Sequence, residues 1–166
     1  MCAAPALTAC SDVHAVGRST QVSRAVRSAQ LSVTVAVRGA VTASGRFTQS
    51  ADAASCASFA RGVTAGEFTI PSGTSTASAD GNPFALEAVI GGYRGPGRYG
   101  AQAFGDPTSA ALTVDVLSSQ SPFQPLAARA GESAVVEGDG SGSFTFSDWQ
   151  DPGLRREEGS IVWTCS

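Results

Sequence analysis

"GGYRGPGRYG", residues 91–100, carries a G-x-G-x-x-G at Gly95, Gly97 and Gly100. A dinucleotide-binding loop needs a strand before this spacing and a helix opening at its third glycine, so that backbone N–H groups point at a pyrophosphate. Here Pro96 sits between the first two glycines, and "AQAFGDP" breaks soon after Gly100. An acidic residue is also expected about twenty positions on, inside a βαβ unit. The nearest match, Asp115, lies in an alternating strand pattern. Tyr93-Arg94 and Arg98-Tyr99 flank the Gly-Pro-Gly almost symmetrically, as hairpin shoulders do. Proline fixes one turn dihedral and glycine permits positive φ. The stretch reads as a turn, which removes the nucleotide-binding α/β alternative.

On either side of this turn the pattern is one of short strands. "LSVTVAV" (31–37) alternates apolar and polar residues, and "AVTASGRFTQS" continues it through a Ser-Gly turn at 44–45, giving a first hairpin. "SADAASCASFARG" (50–62) predicts the one helix, with Ser50 as cap, Asp52 in the first turn and Gly62 as stop. "GEFTIP" (66–71) is a short strand, and "SGTSTASADGN" a polar loop. "PFALEAVIGGY" (83–93) and "RYGAQAF" (98–104) pair around the opening turn. "AALTVDVL" (110–117) alternates strongly, and "SPFQPLAARAGES" connects onward. "SAVVEGD", "GSFTFSDW" and "GSIVWTC" close the chain as three more strands. About eight strands at roughly ten-residue spacing predict an all-β fold, an antiparallel sandwich or flattened barrel with one short helix. Residues 1–29 read as a tail or linker and 30–166 as the domain.

Composition narrows the class. An apolar fraction of 42% with 15% charged residues excludes a disordered chain. All eleven basic residues are arginine, a bias that accompanies GC-rich coding along with abundant Ala and Gly and the single Asn82. A net charge of −3 gives no general attraction to nucleic acid. Arginines outnumber Asp12 and Asp52 in residues 1–61, whereas carboxylates dominate residues 105–166. Such asymmetry marks either a partner surface or opposite charges paired across a sheet.

Cys2, Cys10, Cys56 and Cys165 lack zinc spacing, and His14 is the only histidine. Four such cysteines favour disulfides and an oxidising compartment. A Cys56–Cys165 bond would close a loop of about 110 residues, stabilise the fold by ~4–5 kcal/mol in chain-entropy terms and pin the last strand. "PALTACSD" places Leu7-Thr8-Ala9 before Cys10, which resembles a bacterial lipobox. Residues 1–9 are too few for a charged and an apolar signal region, so that reading needs a start inside a signal peptide. A Cys2–Cys10 disulfide, or lipidation at Cys2, stands beside it. No apolar run of membrane-spanning length occurs.

Candidate chemistry is sparse. Tyr93, Arg94, Arg98 and Tyr99 form a binding-loop candidate able to stack on sugars or grip an anion. The plainer expectation is cross-strand aromatic pairing with solvated arginines. Glu137, Asp139, Asp148 and Asp151 gather near glycines, but without EF-hand spacing, so no metal or other cofactor is expected. Asp148 and Asp151 are the pair that a hydrolase of envelope polymers would use. G-x-S-x-G is absent around Ser141, and a Ser-His-Asp triad would have to use His14 in the tail, so no catalytic residue is assigned.

Gly95-Pro96-Gly97-Arg98-Tyr99, Gly140-Ser141-Gly142-Ser143-Phe144-Thr145-Phe146 and Gly159-Ser160-Ile161-Val162-Trp163-Thr164-Cys165 together resemble small exported β-rich proteins and lipoproteins of actinobacteria, in the style of the mycobacterial 19 kDa lipoprotein antigen. The resemblance covers residues 84–166 and the N-terminal cysteine. It implies a lipidated cysteine, a polar linker, a β-rich domain and a closing cysteine near the C-terminus, with no catalytic residues to carry over. The expected function is a non-enzymatic binding or accessory protein of the cell envelope, secreted or lipid-anchored, its partner a protein or glycan. An extracytoplasmic assembly subunit using strand edges, or the carboxylate hydrolase, stands as the alternative.

Overall fold

A computed structural model describes residues 28–71, 78–79, 82–104, 111–114, 124–125 and 131–166. Along the chain run β1 (Gln30–Gly39), β2 (Ala43–Ser50), α1 (Cys56–Ala60), β3 (Glu67–Thr69), β4 (Ser78–Ala79), β5 (Asn82–Glu87) and β6 (Val89–Gly91). These are followed by β7 (Gly97–Gly100), a 3-10 turn (Ala101–Phe104), β8 (Ala111–Val114), β9 (Gln124–Pro125), β10 (Ser133–Val136), β11 (Gly142–Gln150) and β12 (Arg156–Cys165). The fold is all-β and antiparallel, as the alternation predicts. The main sheet has the order β2-β1-β12-β11-β10-β7, with β9 beside β11. It ends at β2 and β7 without closing, so the flattened-barrel alternative is not the one adopted. β3 pairs with β6, and β4-β5-β8 form a further small sheet.

The first strand lies against the last, from Leu31 opposite Cys165 to Gly39 opposite Glu157. Strand side chains alternate between faces, and one parity turns Leu31, Val33, Val35 and Val37 of β1 inward with Ile161 and Trp163 of β12. Phe68 of β3 packs on Trp163 at 6.2 Å, and Phe104 on Phe144 at 5.1 Å, so the second layer reaches the main sheet through aromatic rings. These residues belong to one core, with Trp149 and Trp163 its largest fully buried side chains. At about 25 cal/mol per Å² of apolar surface removed from water, each such ring contributes several kcal/mol.

Four local expectations are corrected. The first hairpin turns at 40–42, not at Ser44-Gly45, which lie inside β2 opposite Ala36 and Val35. The reason is tertiary: Gly39 adopts φ 137°, the Ala40 N–H reaches the Arg156 carbonyl at 2.9 Å, and the Val41 N–H reaches the Glu157 carboxylate. Helix α1 is shorter than 50–62 and is capped by Ser55, not Ser50. Ser55 and Ser58 exchange side-chain and backbone hydrogen bonds in a capping box, while Ser50 ends β2 and Asp52 turns with φ 49°. Gly62 does end the helix, at φ 83°.

The stretch 83–93 and its expected partner 98–104 do not pair. β6 joins β3 and β7 joins β10, so Gly92 (φ 65°) and Gly95 (φ 108°) carry the chain from one sheet to the other as an arch. Finally, "AQAF" is a 3-10 turn and no strand.

Candidate binding surface

The arch between β6 and β7 presents the four residues of the binding-loop candidate in two ways. Tyr93 is buried, and its hydroxyl donates to the Ala60 carbonyl at 2.5 Å. Burial, with Tyr99 beside it, pushes the Tyr93 phenol up to about 12. Tyr99 packs on Tyr93 at 5.2 Å and donates its hydroxyl to the Gly95 carbonyl. Both rings are therefore part of the arch's own framework, contacting each other between sheets and not across a hairpin. Arg94 and Arg98 are exposed, and among the described residues neither meets a carboxylate. Arg98 borders a shallow, open depression of about 480 Å³ with Gln102 and Ala103 along the β7 edge.

The carboxylates of the C-terminal half are engaged separately. A register shift in β11 between Phe146 and Trp149 turns Asp148 to φ 57°, and its carboxylate pairs with Arg156 at 2.9 Å. Asp151 pairs with Arg155 at 2.6 Å and also accepts the Arg155 backbone N–H. Burial opposes its ionisation, but the hydrogen bonds and charge of Arg155 hold it below the usual carboxylate range. Each of these two carboxylates is thus held by a different arginine. Asp139 accepts the Ser141 N–H within the β10–β11 turn, and Glu137 is exposed at its start. Among the described residues no group of three His, Cys, Asp or Glu side chains could hold a metal ion.

Two further acids, Glu132 and Glu157, are buried and belong to no sequence motif. Glu132 accepts the Trp149 indole N–H at 2.8 Å. Glu157 is 1% exposed, accepts the Val41 N–H through Oε1, and leaves Oε2 without a hydrogen-bond partner. Burial raises its carboxyl to about 7, against the Val41 hydrogen bond and the Arg155 charge that favour ionisation. The signal was available: Glu157 shares strand parity with Gly159, Ile161 and Trp163 and so belongs to the inward phase.

Cys56 and Cys165 form a disulfide with a Cα–Cα distance of 5.7 Å, joining the start of α1 to the end of β12. Cys2, Cys10 and His14 lie outside the described residues, as does the lipobox-like stretch. Among the described residues no helix is long and apolar enough to cross a membrane. The chain matches no protein-family model, no curated protein and no solved structure.

Proposed function

We propose that this chain is a non-enzymatic binding or accessory protein of the cell envelope, exported and either secreted or tethered by lipid at Cys10 or Cys2. The observation that carries the binding reading is the contrast in how charge is used. Asp148 and Asp151 are each held by an arginine, whereas Arg94 and Arg98 stand exposed without a carboxylate among the described residues. That leaves an anion-accepting surface on a rigid scaffold in place of a proton-transferring pair. The Cys56–Cys165 disulfide suits an oxidising compartment, and the resemblance to actinobacterial exported lipoproteins supports the same location.

The test is fractionation of the native host followed by intact-mass measurement before and after reduction. The reading expects one reducible bond, with the chain either in the envelope fraction, starting at Cys10 or Cys2 with a diacylglyceryl-sized mass excess, or secreted without it. A cytoplasmic chain with free thiols would overturn it.

A further inference from the structure

We infer that the outer face of the main sheet binds an anionic polysaccharide, through the hydroxyl-rich depression at Gly159 and the arginines at either edge. This deepens the envelope-binding reading and rests on it.

The registers place two unbroken rows across six strands of that face. One runs Arg46, Thr34, Val162, Ser143, Val135, Arg98, and the other Ser44, Ala36, Ser160, Thr145, Ser133, Gly100. Neighbouring strands lie about 4.8 Å apart, so Arg46 and Arg98 stand roughly 24 Å apart across the sheet, the span of several sugar units. The second row holds only small side chains, with Ser133 and Thr145 joined hydroxyl to hydroxyl at 2.8 Å. Large side chains are missing from this row, so an extended polymer can approach the strands.

Within it lies a depression of about 370 Å³, lined by Ala36, Thr145, Gly159 and Ser160 and rimmed by Arg38 and Glu158. The β11 register shift follows Phe146 at the border of this depression, and bulges are over-represented next to active sites. Hydroxyls, an ion pair and the half-exposed Val162 nearby supply the polar contacts and the apolar patch that a pyranose ring requires.

Charge complementarity selects the occupant. Glu158 is neutralised by Arg38 at 2.6 Å and Asp148 by Arg156 at 2.9 Å. Arg46 bonds the Thr34 hydroxyl, and neither it nor Arg98 meets a carboxylate among the described residues. The face thus carries two arginines in excess on a chain of net charge −3, and Glu137 and Asp139 lie beyond it in the β10–β11 turn. Arginine forks match carboxylate and phosphate groups alike. The rows offer no aromatic platform for a neutral crystalline glycan.

The experiment measures binding of the oxidised full chain to labelled polygalacturonate, to a phosphomannan and to neutral dextran, at low and high salt. Expected is salt-sensitive binding of at least one anionic polymer and none of dextran, the polymer bound telling carboxylate from phosphate. The Arg46→Ala/Arg98→Ala double variant should bind at least about tenfold more weakly. Ala36→Gln, which fills the depression, should weaken binding several-fold, while Arg61→Ala beside α1 leaves it unchanged. All four positions are exposed, and circular dichroism confirms that each variant is folded. Binding of neither anionic polymer, or equal losses in Arg61→Ala and the double variant, would overturn the inference. If the chain still fractionates with the envelope in that case, the polysaccharide inference fails and the envelope reading stands.

Discussion

β12 connects two ends of the molecule that are closed by opposite means. At its C-terminal end, Cys165 is bonded to Cys56, and Trp163 packs on Phe68, which also meets Phe59 and Tyr93, with the indole N–H donated to the Gly140 carbonyl at 2.8 Å. At its N-terminal end, Glu157 holds the β1–β2 turn, Asp151 and Arg155 pair nearby, and Trp149 donates to Glu132. One end is apolar and covalent, the other polar and titratable. A strand buried at both ends needs every inward polar group satisfied, and Glu157 Oε2 is the exception among the described side chains. The difference teaches that the first end resists most changes of solution, whereas the second responds to pH.

The largest effect should come from cutting the covalent end. Replacing Cys56 and Cys165 by alanine is expected to cost ~4–5 kcal/mol, the chain-entropy value for a loop of about 110 residues. Urea unfolding with and without reductant measures it. A change under about 1 kcal/mol would mean that aromatic packing alone closes this end.

Glu157 should give the next effect, and its sign is set by burial. Its carboxyl titrates near 7 in the fold against 4.5 as an ordinary glutamate, so the folded chain holds a proton that the unfolded chain has lost across that window. Stability therefore falls as pH rises from about 4.5 to about 7 and levels off above. Glu157→Gln keeps an acceptor for the Val41 N–H and removes the ionisation. It is expected to abolish this slope and to stabilise the protein at pH 8 on the order of 2–3 kcal/mol. Denaturation at a series of pH values would contradict the account if variant and parent ran parallel.

The two tryptophans sharpen the comparison. Both are buried, and a change to phenylalanine removes similar volume and one N–H donor from each. Trp149→Phe strands a buried carboxylate oxygen, whereas Trp163→Phe strands a backbone carbonyl. Trp149→Phe should be the costlier by about 1–2 kcal/mol, because hydrogen bonds to charged groups are the stronger. Smallest is Ser55→Ala, which removes the α1 cap and should cost about 1 kcal/mol in thermal unfolding.

Legibility in the sequence followed how locally each feature is determined. The alternation of Leu31, Val33, Val35 and Val37, the helix stop at Gly62 and the turn character of Gly95-Pro96-Gly97 follow from residues within a few positions. They carry the all-β class that the structure shows. The β1–β2 turn does not follow from near residues, because Arg156 and Glu157, more than a hundred residues away, place it at 40–42. The same holds for the arch. Symmetry around Gly-Pro-Gly suggests a hairpin, but β3 and β10 claim the two arms for different sheets.

For the candidate surface, Arg98 was visible as an exposed arginine beside a turn. Its alignment with Arg46 across six strands exists only once the register is known. Asp148 and Asp151 are close in sequence, which made them look like a pair, and the bulge between Phe146 and Trp149 sends them to different arginines.

The proposed export rests on the Cys56–Cys165 disulfide. The most direct measurement is peptide mapping of the chain from its native host, alkylated under denaturing conditions before any reductant is added. The account predicts a Cys56 peptide linked to a Cys165 peptide, with neither cysteine alkylated. Recovery of both cysteines fully alkylated would contradict it, removing at once the covalent end of the fold and the main support for export.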